Sequence, residues 1–307
     1  CIGEGLFRNM WFQLLKAKIF VLTVPDLGNS ELKRSKFSVH YVYMFHSIVS
    51  THMIYNKRAF DNYDTIFCAG PHHVAEIRET ERIYNLPPKQ LIEHGYGRLD
   101  EIISEQPNKA QPHFSKETVS KTILIAPTWG PQGLIETGKA CGLIGNLLNE
   151  GFEVILRPHP ETLKRAGPCF DKTINLFDEH PAFNEERDVT STKSLIQADL
   201  MLSDWSGAAL EYALGYGKPV LFVDTERKVK NIDYENYENL PLEDIIRNTI
   251  GAILSQDRFC EVAQVARELI ARNKPGGYTH SPETYVYNVG NSAKVAAEWL
   301  LKNISEI

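Results

Sequence analysis

The sequence contains no long apolar run, no cysteine pair and no excess of basic residues. A membrane-spanning helix needs about 18 or more apolar residues in a row, and none is present. The five cysteines are scattered without a CxxC pair, which indicates reduced thiols of a cytoplasmic protein and not a disulfide framework. Lys and Arg number 33 against 39 Asp and Glu, a net charge of −6, so bulk charge does not predict nucleic-acid binding.

Three functional fingerprints are also absent. The chain has no GxGxxG turn, no GxxxxGK[ST] phosphate loop and no GxSxG nucleophile elbow. These absences argue against a nicotinamide cofactor, a P-loop nucleotidase and an α/β-hydrolase. The histidines have no Cys or carboxylate neighbours at zinc-ligand spacing, so we expect no metal site built from side chains.

Short apolar runs alternate with helical patterns along the 307 residues. This alternation predicts an α/β fold with parallel sheets, and the length predicts two domains. The predicted strands cover residues 19–24, 39–45, 65–69, 121–126, 152–157, 200–202 and 219–223. Apolar spacing and flanking Gly or Pro predict helices over residues 133–149, 261–272 and 292–303.

A polar stretch with two prolines, residues 105–112, is the predicted linker. It separates an N-terminal Rossmann-like domain (1–115) from a C-terminal one (116–290), and we expect the final helix (291–307) to pack back on the first. The first domain is short for a doubly wound sheet and does not begin with Met, so we expect it to be incomplete. Its first eighteen residues fit an amphipathic helix at a membrane surface or an ordinary core-packing helix.

Polar residues follow several predicted strands, at the edge where open α/β sheets bind ligands. His46 follows the strand predicted at 39–45 and is the candidate general base, since a neutral imidazole can take a proton from a hydroxyl near pH 7. Thr128 follows the strand at 121–126. A histidine that only caps a strand end would give the same pattern, so both interpretations stay open.

Two further clusters are candidate phosphate ligands. Arg157 and His159 project from a turn stiffened by two prolines, and a guanidinium and an imidazole N–H suit a diphosphate. A polar segment then leads into an Ala-rich helix whose first-turn amides would attract phosphate, and Glu211 in that helix could bind a ribose or polyol. The residues of this segment are Ser203, Asp204, Trp205, Ser206 and Gly207. A capped strand end and a capped helix are the plain structural alternatives.

In their order, these segments resemble the CDP-glycerol glycerophosphotransferases, the teichoic-acid primases and polymerases. His46-Ser47 stands where that family has a His-Gly step carrying its catalytic base. The other matching segments are His94–Asp100, which includes Arg98, Ile123–Trp129, which includes Thr128, Arg157–Pro160, Ser203–Ser206 and Lys218–Phe222. The resemblance implies a GT-B fold, two Rossmann-like domains facing across a cleft.

It also implies transfer of a polyol phosphate from a CDP-activated donor, such as CDP-glycerol, to a hydroxyl of a cell-surface polymer or its lipid-linked precursor. His46 would be the base and His159 would act at the donor phosphate. The implied donor-binding residues are Arg157, Ser203, Asp204, Ser206, Gly207, Glu211, Thr128 and Arg98. No covalent cofactor is implied, although Mg²⁺ could accompany the donor. A cytoplasmic protein, with peripheral association at the inner membrane, fits this chemistry.

The chain departs from the family after the catalytic histidine. Ser47-Ile48-Val49 replaces the usual Gly-Thr-Pro, and the lysines expected there for a polyanionic acceptor are missing. The resemblance therefore supports the donor chemistry more strongly than the identity of the acceptor. The acceptor could be a teichoic acid, a capsule, an O-antigen or another surface polymer. Three alternatives stay open: a GT-B glycosyltransferase using an NDP- or CMP-sugar, a nucleotide-sugar epimerase, and a non-catalytic polymer-binding module.

Overall fold

The computed structural model describes residues 6–29, 32–105, 120–188, 190–273 and 281–306. Apart from Glu105, the predicted linker lies outside these ranges, and so does the predicted domain boundary near residue 115. The predicted strands and helices, by contrast, lie mostly on described residues and can be compared with the strands and helices of the structure.

The described residues form two parallel sheets. The first has the order β1-β2-β3-β4, and the second has the order β10-β9-β8-β5-β6-β7. The strands are β1 (Ile19–Leu22), β2 (His40–Met44), β3 (Thr65–Cys68), β4 (Gln90–Glu93), β5 (Thr122–Ile125), β6 (Glu153–Leu156), β7 (Phe183–Glu185), β8 (Leu200–Ser203), β9 (Val220–Val223) and β10 (Gly251–Leu254). Every strand pair is parallel, so the α/β prediction is confirmed.

Helices connect these strands, as parallel pairing requires. They are α1 (Leu6–Gln13), α2 (Thr51–Ile54), α3 (Pro71–Tyr84), α4 (Gly97–Glu105), α5 (Lys139–Asn149), α6 (Pro160–Asn175), α7 (Lys193–Gln197), α8 (Gly207–Tyr216), α9 (Leu242–Ile250), α10 (Val262–Arg272) and α11 (Ser292–Glu306), with 3₁₀ turns at Tyr234–Asn236, Gln256–Glu261 and Pro282–Thr284. Within the described ranges, no helix is both long and apolar enough to cross a membrane.

The chain divides into two compact units. The first unit comprises Cys1–Glu101, Val229–Leu242 and Pro282–Ile307, and the second comprises Ile102–Lys228 and Glu243–Ser281. Residues 229–242 therefore group with the first unit although they follow β9, a return that the sequence pattern did not indicate. The domain limits inferred from the linker stay predictions.

Two features of the sequence-based prediction were wrong or incomplete. The helix expected over residues 133–149 begins only at Lys139, because Gly138 adopts a φ of +75° that breaks the helical path. The strands β4, β7 and β10 were not predicted. β4 and β7 are short and partly polar, and they carry no continuous apolar run from which periodicity could be read.

Each unit has its own core. In the second unit, the fully buried strands β5, β8 and β9 consist largely of apolar residues, as expected of strands covered on both faces. In the first, the core is rich in aromatic rings: Tyr43 lies 4.8 Å from Phe60 and 5.1 Å from Tyr63 between ring centroids. Trp299 of α11 packs 5.3 Å from Phe67 of β3.

Gly251 gives a test of the β9–β10 pairing. It lies opposite Val220 in the register, and a Cβ at this position would stand 1.8 Å from the Val220 carbonyl oxygen. We expect Gly251→Ala to lower the free energy of unfolding by about 1–3 kcal/mol, because the strands must separate. Gly142→Ala is the control, since a Cβ there meets nothing within 4 Å and α5 should gain about 0.5–1 kcal/mol. Urea unfolding of both variants measures this, and equal stability would contradict the register.

Candidate functional site

The second sheet reverses its order between β5 and β8. From β5 the chain adds β6 and β7 on one side, and β8, β9 and β10 follow on the other. The carboxyl ends of two strands at such a reversal leave a crevice, which is where open α/β sheets bind ligands. Thr128, His159 and Asp204 all lie just after the carboxyl ends of β5, β6 and β8, so the structure brings these predicted residues to one edge.

A hydrogen bond joins the two strand ends at the reversal. The Thr128 backbone N–H donates to Oδ1 of Asp204 at 2.7 Å, and the Ser203 hydroxyl donates to the Ala126 carbonyl, also at 2.7 Å. Asp204 is 1% exposed, and its Oδ2 has no hydrogen-bond partner among the described residues. Burial raises the pKa of Asp204 to about 6. The strand ends are thus fixed around one buried carboxyl group with an unused oxygen.

The start of α8 lies at the same edge. Ser206 is its N-cap, and the Ser206 hydroxyl accepts a hydrogen bond from the Ala208 N–H at 3.3 Å. Gly207 is the first helical residue, and the amides of this first turn carry partial positive charge that suits an anion. Glu211 lies in the following turn of the helix.

His159 is held as a neutral hydrogen-bond donor. It is the N-cap of α6, and its Nδ1 accepts a hydrogen bond from the Glu161 N–H at 3.1 Å. The proton of the neutral ring is therefore on Nε2. Burial, followed by the positive charge of Lys228, lowers the pKa of His159 to about 4. At neutral pH this side chain offers one N–H to a ligand without carrying a charge of its own.

Arg157 is already bonded within the protein. Its guanidinium pairs with the Glu186 carboxylate at 3.1 Å and donates to the Ser191 carbonyl at 2.7 Å and the Ser194 hydroxyl at 3.2 Å. These contacts tie the end of β6 to the segments after β7. The diphosphate contact predicted for Arg157 stays a prediction. In the structure, Arg157 connects the end of β6 to the residues that follow β7.

Two residues beside His159 were not among the predicted site residues. Trp129 follows Thr128, and its ring centroid lies 6.2 Å from that of His159. The Lys228 ammonium lies 3.9 Å from the centroid of the Trp129 ring and donates to the Trp129 carbonyl at 3.0 Å. The only sequence signal for Lys228 was the basic stretch Arg227–Lys230 after β9.

The first unit holds His46 and Arg98. His46 is exposed two residues beyond β2, its Nδ1 lies 3.5 Å from the Tyr43 hydroxyl, and its carbonyl accepts from the Tyr96 hydroxyl at 3.0 Å. Burial, followed by the neighbouring Tyr55, raises the pKa of Tyr43, which stays protonated. Since Nδ1 faces Tyr43, Nε2 is the nitrogen left for a substrate. Arg98 donates to Glu101 at 2.6 Å.

The loop that follows His46 is held by α3. The imidazoles of His72 and His73 contact the carbonyl oxygens of Ile48 and Val49 at 2.8 and 3.0 Å. Burial lowers the pKa of both rings, so each is neutral and donates from Nε2. These two contacts position the loop that follows His46.

Glu76 completes this attachment from inside the core. It is 1% exposed and accepts hydrogen bonds from the Thr51 N–H at 2.6 Å and the Thr51 hydroxyl at 2.7 Å, and the His52 Nδ1 lies 3.5 Å away. Burial acts to raise the pKa of Glu76, but the interaction with His52 outweighs it and the pKa falls to about 2. The charged carboxylate is therefore the stable form in the folded protein.

No group of three or more His, Cys, Asp or Glu side chains is placed to bind a metal ion in the part of the chain that the structure describes. The donor-binding and catalytic roles of the predicted residues stay predictions.

A family model described as CDP-Glycerol:Poly(glycerophosphate) glycerophosphotransferase matches residues 7–270. The chain belongs to this family. It is a transferase family, so the prediction that the chain is an enzyme of this class is confirmed. A comparison with proteins of curated function finds no matching relative.

Solved structures show the same fold at low sequence identity. The UDP-GlcNAc 2-epimerase of Methanocaldococcus jannaschii, in complex with UDP-GlcNAc and UDP, is 10% identical with a TM-score of 0.54, over 86% of this chain and 69% of that chain. The UDP-GlcNAc 2-epimerase of Neisseria meningitidis, bound to UDP-GlcNAc, is 16% identical with a TM-score of 0.54, over 86% and 70%. The GT-B fold class is confirmed.

Glu76 yields a pH-dependent stability prediction. Its pKa is about 2 in the folded protein against an ordinary 4.5, so its stabilisation is complete above pH 4.5 and is lost as the pH falls toward 2. We expect Glu76→Gln to lower the free energy of unfolding by about 2–4 kcal/mol at pH 7, and by progressively less below pH 4.5. Urea unfolding at several pH values measures the difference.

The control is Glu268→Gln, whose carboxylate pairs with Arg272 on an exposed helix face. Surface pairs of this kind contribute little, so its effect should stay below about 0.5 kcal/mol. A Glu76→Gln variant that loses no more stability than this control at pH 7 would contradict the buried network.

His159 yields a spectroscopic prediction. Because Nδ1 accepts from Glu161 and the pKa lies near 4, NMR of labelled histidine should show the neutral Nε2–H form from pH 7 down to about pH 5. A His159 resonance that titrates near pH 6.5, or that carries its proton on Nδ1, would contradict the geometry.

Proposed function

We propose that the protein transfers a polyol phosphate, most simply glycerol phosphate, from a CDP-activated donor to a hydroxyl group of a cell-surface polymer or of its lipid-linked precursor. The observation that carries the proposal is the edge at the β5–β8 reversal, where the neutral donor His159 and the start of α8 lie beside the bonded ends of the two strands. The family supports the same chemistry.

In this proposal the second unit binds the donor's diphosphate. The Nε2–H of His159 and the first amides of α8 donate to phosphate oxygens, and Thr128 lies beside them at the end of β5. Arg157 and Ser203 act as positioning residues, because the Arg157 Nη1 and the Ser203 hydroxyl donate inside the protein. Glu211 keeps its predicted place at the ribose or polyol, and Arg98 keeps its predicted role as a donor-binding residue. A Mg²⁺ ion, where one takes part, would accompany the diphosphate.

The first unit supplies the base. His46 takes the proton of the acceptor hydroxyl on Nε2, and the oxygen attacks the β-phosphorus of the donor. A new phosphodiester bond forms, the bond from the β-phosphorus to the bridging oxygen breaks, and CMP leaves with the negative charge. Donors aimed at the diphosphate stabilise that charge as it develops.

We further propose that the enzyme binds peripherally to the cytoplasmic face of the membrane, and that α1 contacts the membrane surface. Met10, Trp11 and Leu14 are exposed there, and residues 6–40 contain six Lys or Arg against two acids. An apolar surface with basic residues suits an anionic bilayer. Sedimentation with vesicles of phosphatidylglycerol against vesicles of phosphatidylcholine tests this, and absence of binding to both would contradict it.

A thermal-shift panel tests the donor class. CDP, CMP and CDP-glycerol should stabilise the protein, since a ligand at about 100 times its Kd adds about 2.7 kcal/mol. UDP and UDP-GlcNAc should give smaller shifts. Stabilisation by uridine nucleotides alone would contradict the proposal and favour a sugar transferase or epimerase.

His46→Gln tests the base. We expect turnover to fall by about 10²- to 10⁴-fold, because a glutamine amide does not take up the acceptor proton, while the affinity for CDP stays unchanged. His180→Gln is the matched control, since the His180 Nδ1 accepts a hydrogen bond from the Ala182 N–H in a turn of the second unit. Steady-state turnover and CDP titration measure both variants, and an unchanged rate in His46→Gln would remove this residue from the mechanism.

A further inference from the structure

Trp129, His159 and Lys228 come from three different strand-end loops, those after β5, β6 and β9. Their rings and charges nevertheless converge, with the Trp129 centroid 6.2 Å from that of His159 and the Lys228 ammonium 3.9 Å from that of Trp129. His159 and Thr128 have proposed roles at the donor, but Lys228 and Trp129 have none so far.

Lys228 is held in place by Trp129. Its ammonium stands over the indole ring, an attraction that is strongest for Trp among the aromatic side chains. It also donates to the Trp129 carbonyl at 3.0 Å. A lysine on a flexible chain ordinarily loses considerable rotamer entropy when it binds a ligand, and here much of that loss has already occurred on folding.

Cations of α6 lie at the same edge, and the Arg165 guanidinium stands 5.3 Å from the centroid of the Trp129 ring. The Glu161 carboxylate pairs with both Lys164 at 2.9 Å and Arg165 at 2.7 Å. These two cations are thus neutralised in part by a carboxylate on their own helix. Lys228 reaches the same edge from the loop after β9, and its positive charge adds to the effect of burial in lowering the pKa of His159.

We propose that Lys228, oriented by Trp129, binds the donor's diphosphate beside His159 and stabilises the charge on the departing nucleotide. The inference rests on the proposed function and adds a residue to its donor site. A lysine ammonium is a compact charge suited to phosphate, and a neutral imidazole beside it adds one directed N–H. The pair thus supplies one full charge and one oriented hydrogen bond, and Trp129 fixes their separation.

The test compares Lys228→Met with Lys164→Met by calorimetric titration of CDP and of inorganic pyrophosphate. We expect Lys228→Met to lower the affinity for both ligands by about 10- to 100-fold, which is the effect of losing a hydrogen bond to a charged group. Lys164→Met should change neither by more than about twofold, because Lys164 is 70% exposed and pairs with Glu161. Lys228→Arg keeps the charge and should recover most of the affinity.

NMR titration of His159 provides a second measurement that does not depend on ligand. Lys228→Met should raise the pKa of His159, with Glu161 and Lys164 as the other charges acting on that ring. Unchanged affinity for both ligands in Lys228→Met would overturn the inference and leave the proposed function standing. Failure of the unmodified protein to bind CDP would contradict the proposed function, and the inference with it.

Discussion

The hydrogen bond from the Thr128 amide to the Asp204 carboxylate joins the ends of β5 and β8 at the point where the sheet reverses its order. The connections on the two sides of such a reversal run in opposite directions, and open α/β sheets bind ligands in the crevice between them. The bond holds together the two strand ends that border this crevice. His159, the start of α8 and Lys228 all depend on this edge for their position.

The two histidines of the proposed mechanism lie in contrasting environments. His159 is half-buried beside a lysine, and its pKa of about 4 makes it a neutral donor. His46 is exposed, and its outer nitrogen faces away from Tyr43. One environment suits a group that binds phosphate, and the other suits a group that accepts a proton from a substrate. In the proposed mechanism, phosphate binding and proton transfer are thus assigned to histidines in different environments.

Sequence reasoning identified the central strands and the polar residues that follow them, because β5, β8 and β9 are largely apolar runs with a polar residue within three positions of their ends. It missed β4 and β7, which are short and partly polar. It also missed the pairing of Lys228 with Trp129, 99 residues apart, and the internal partners of Arg157. Such contacts depend on which loops meet in space, and no local periodicity reports that.

The nucleotide released during turnover tests the proposed chemistry most directly. Attack on the β-phosphorus of CDP-glycerol breaks a P–O bond and must release CMP, whereas transfer of the glyceryl group by C–O cleavage must release CDP. Incubation of the protein with CDP-glycerol and a glycerol-phosphate-primed acceptor, followed by ³¹P NMR, separates the two. We expect CMP and a new phosphodiester in equal amounts, and release of CDP would contradict phosphoryl transfer.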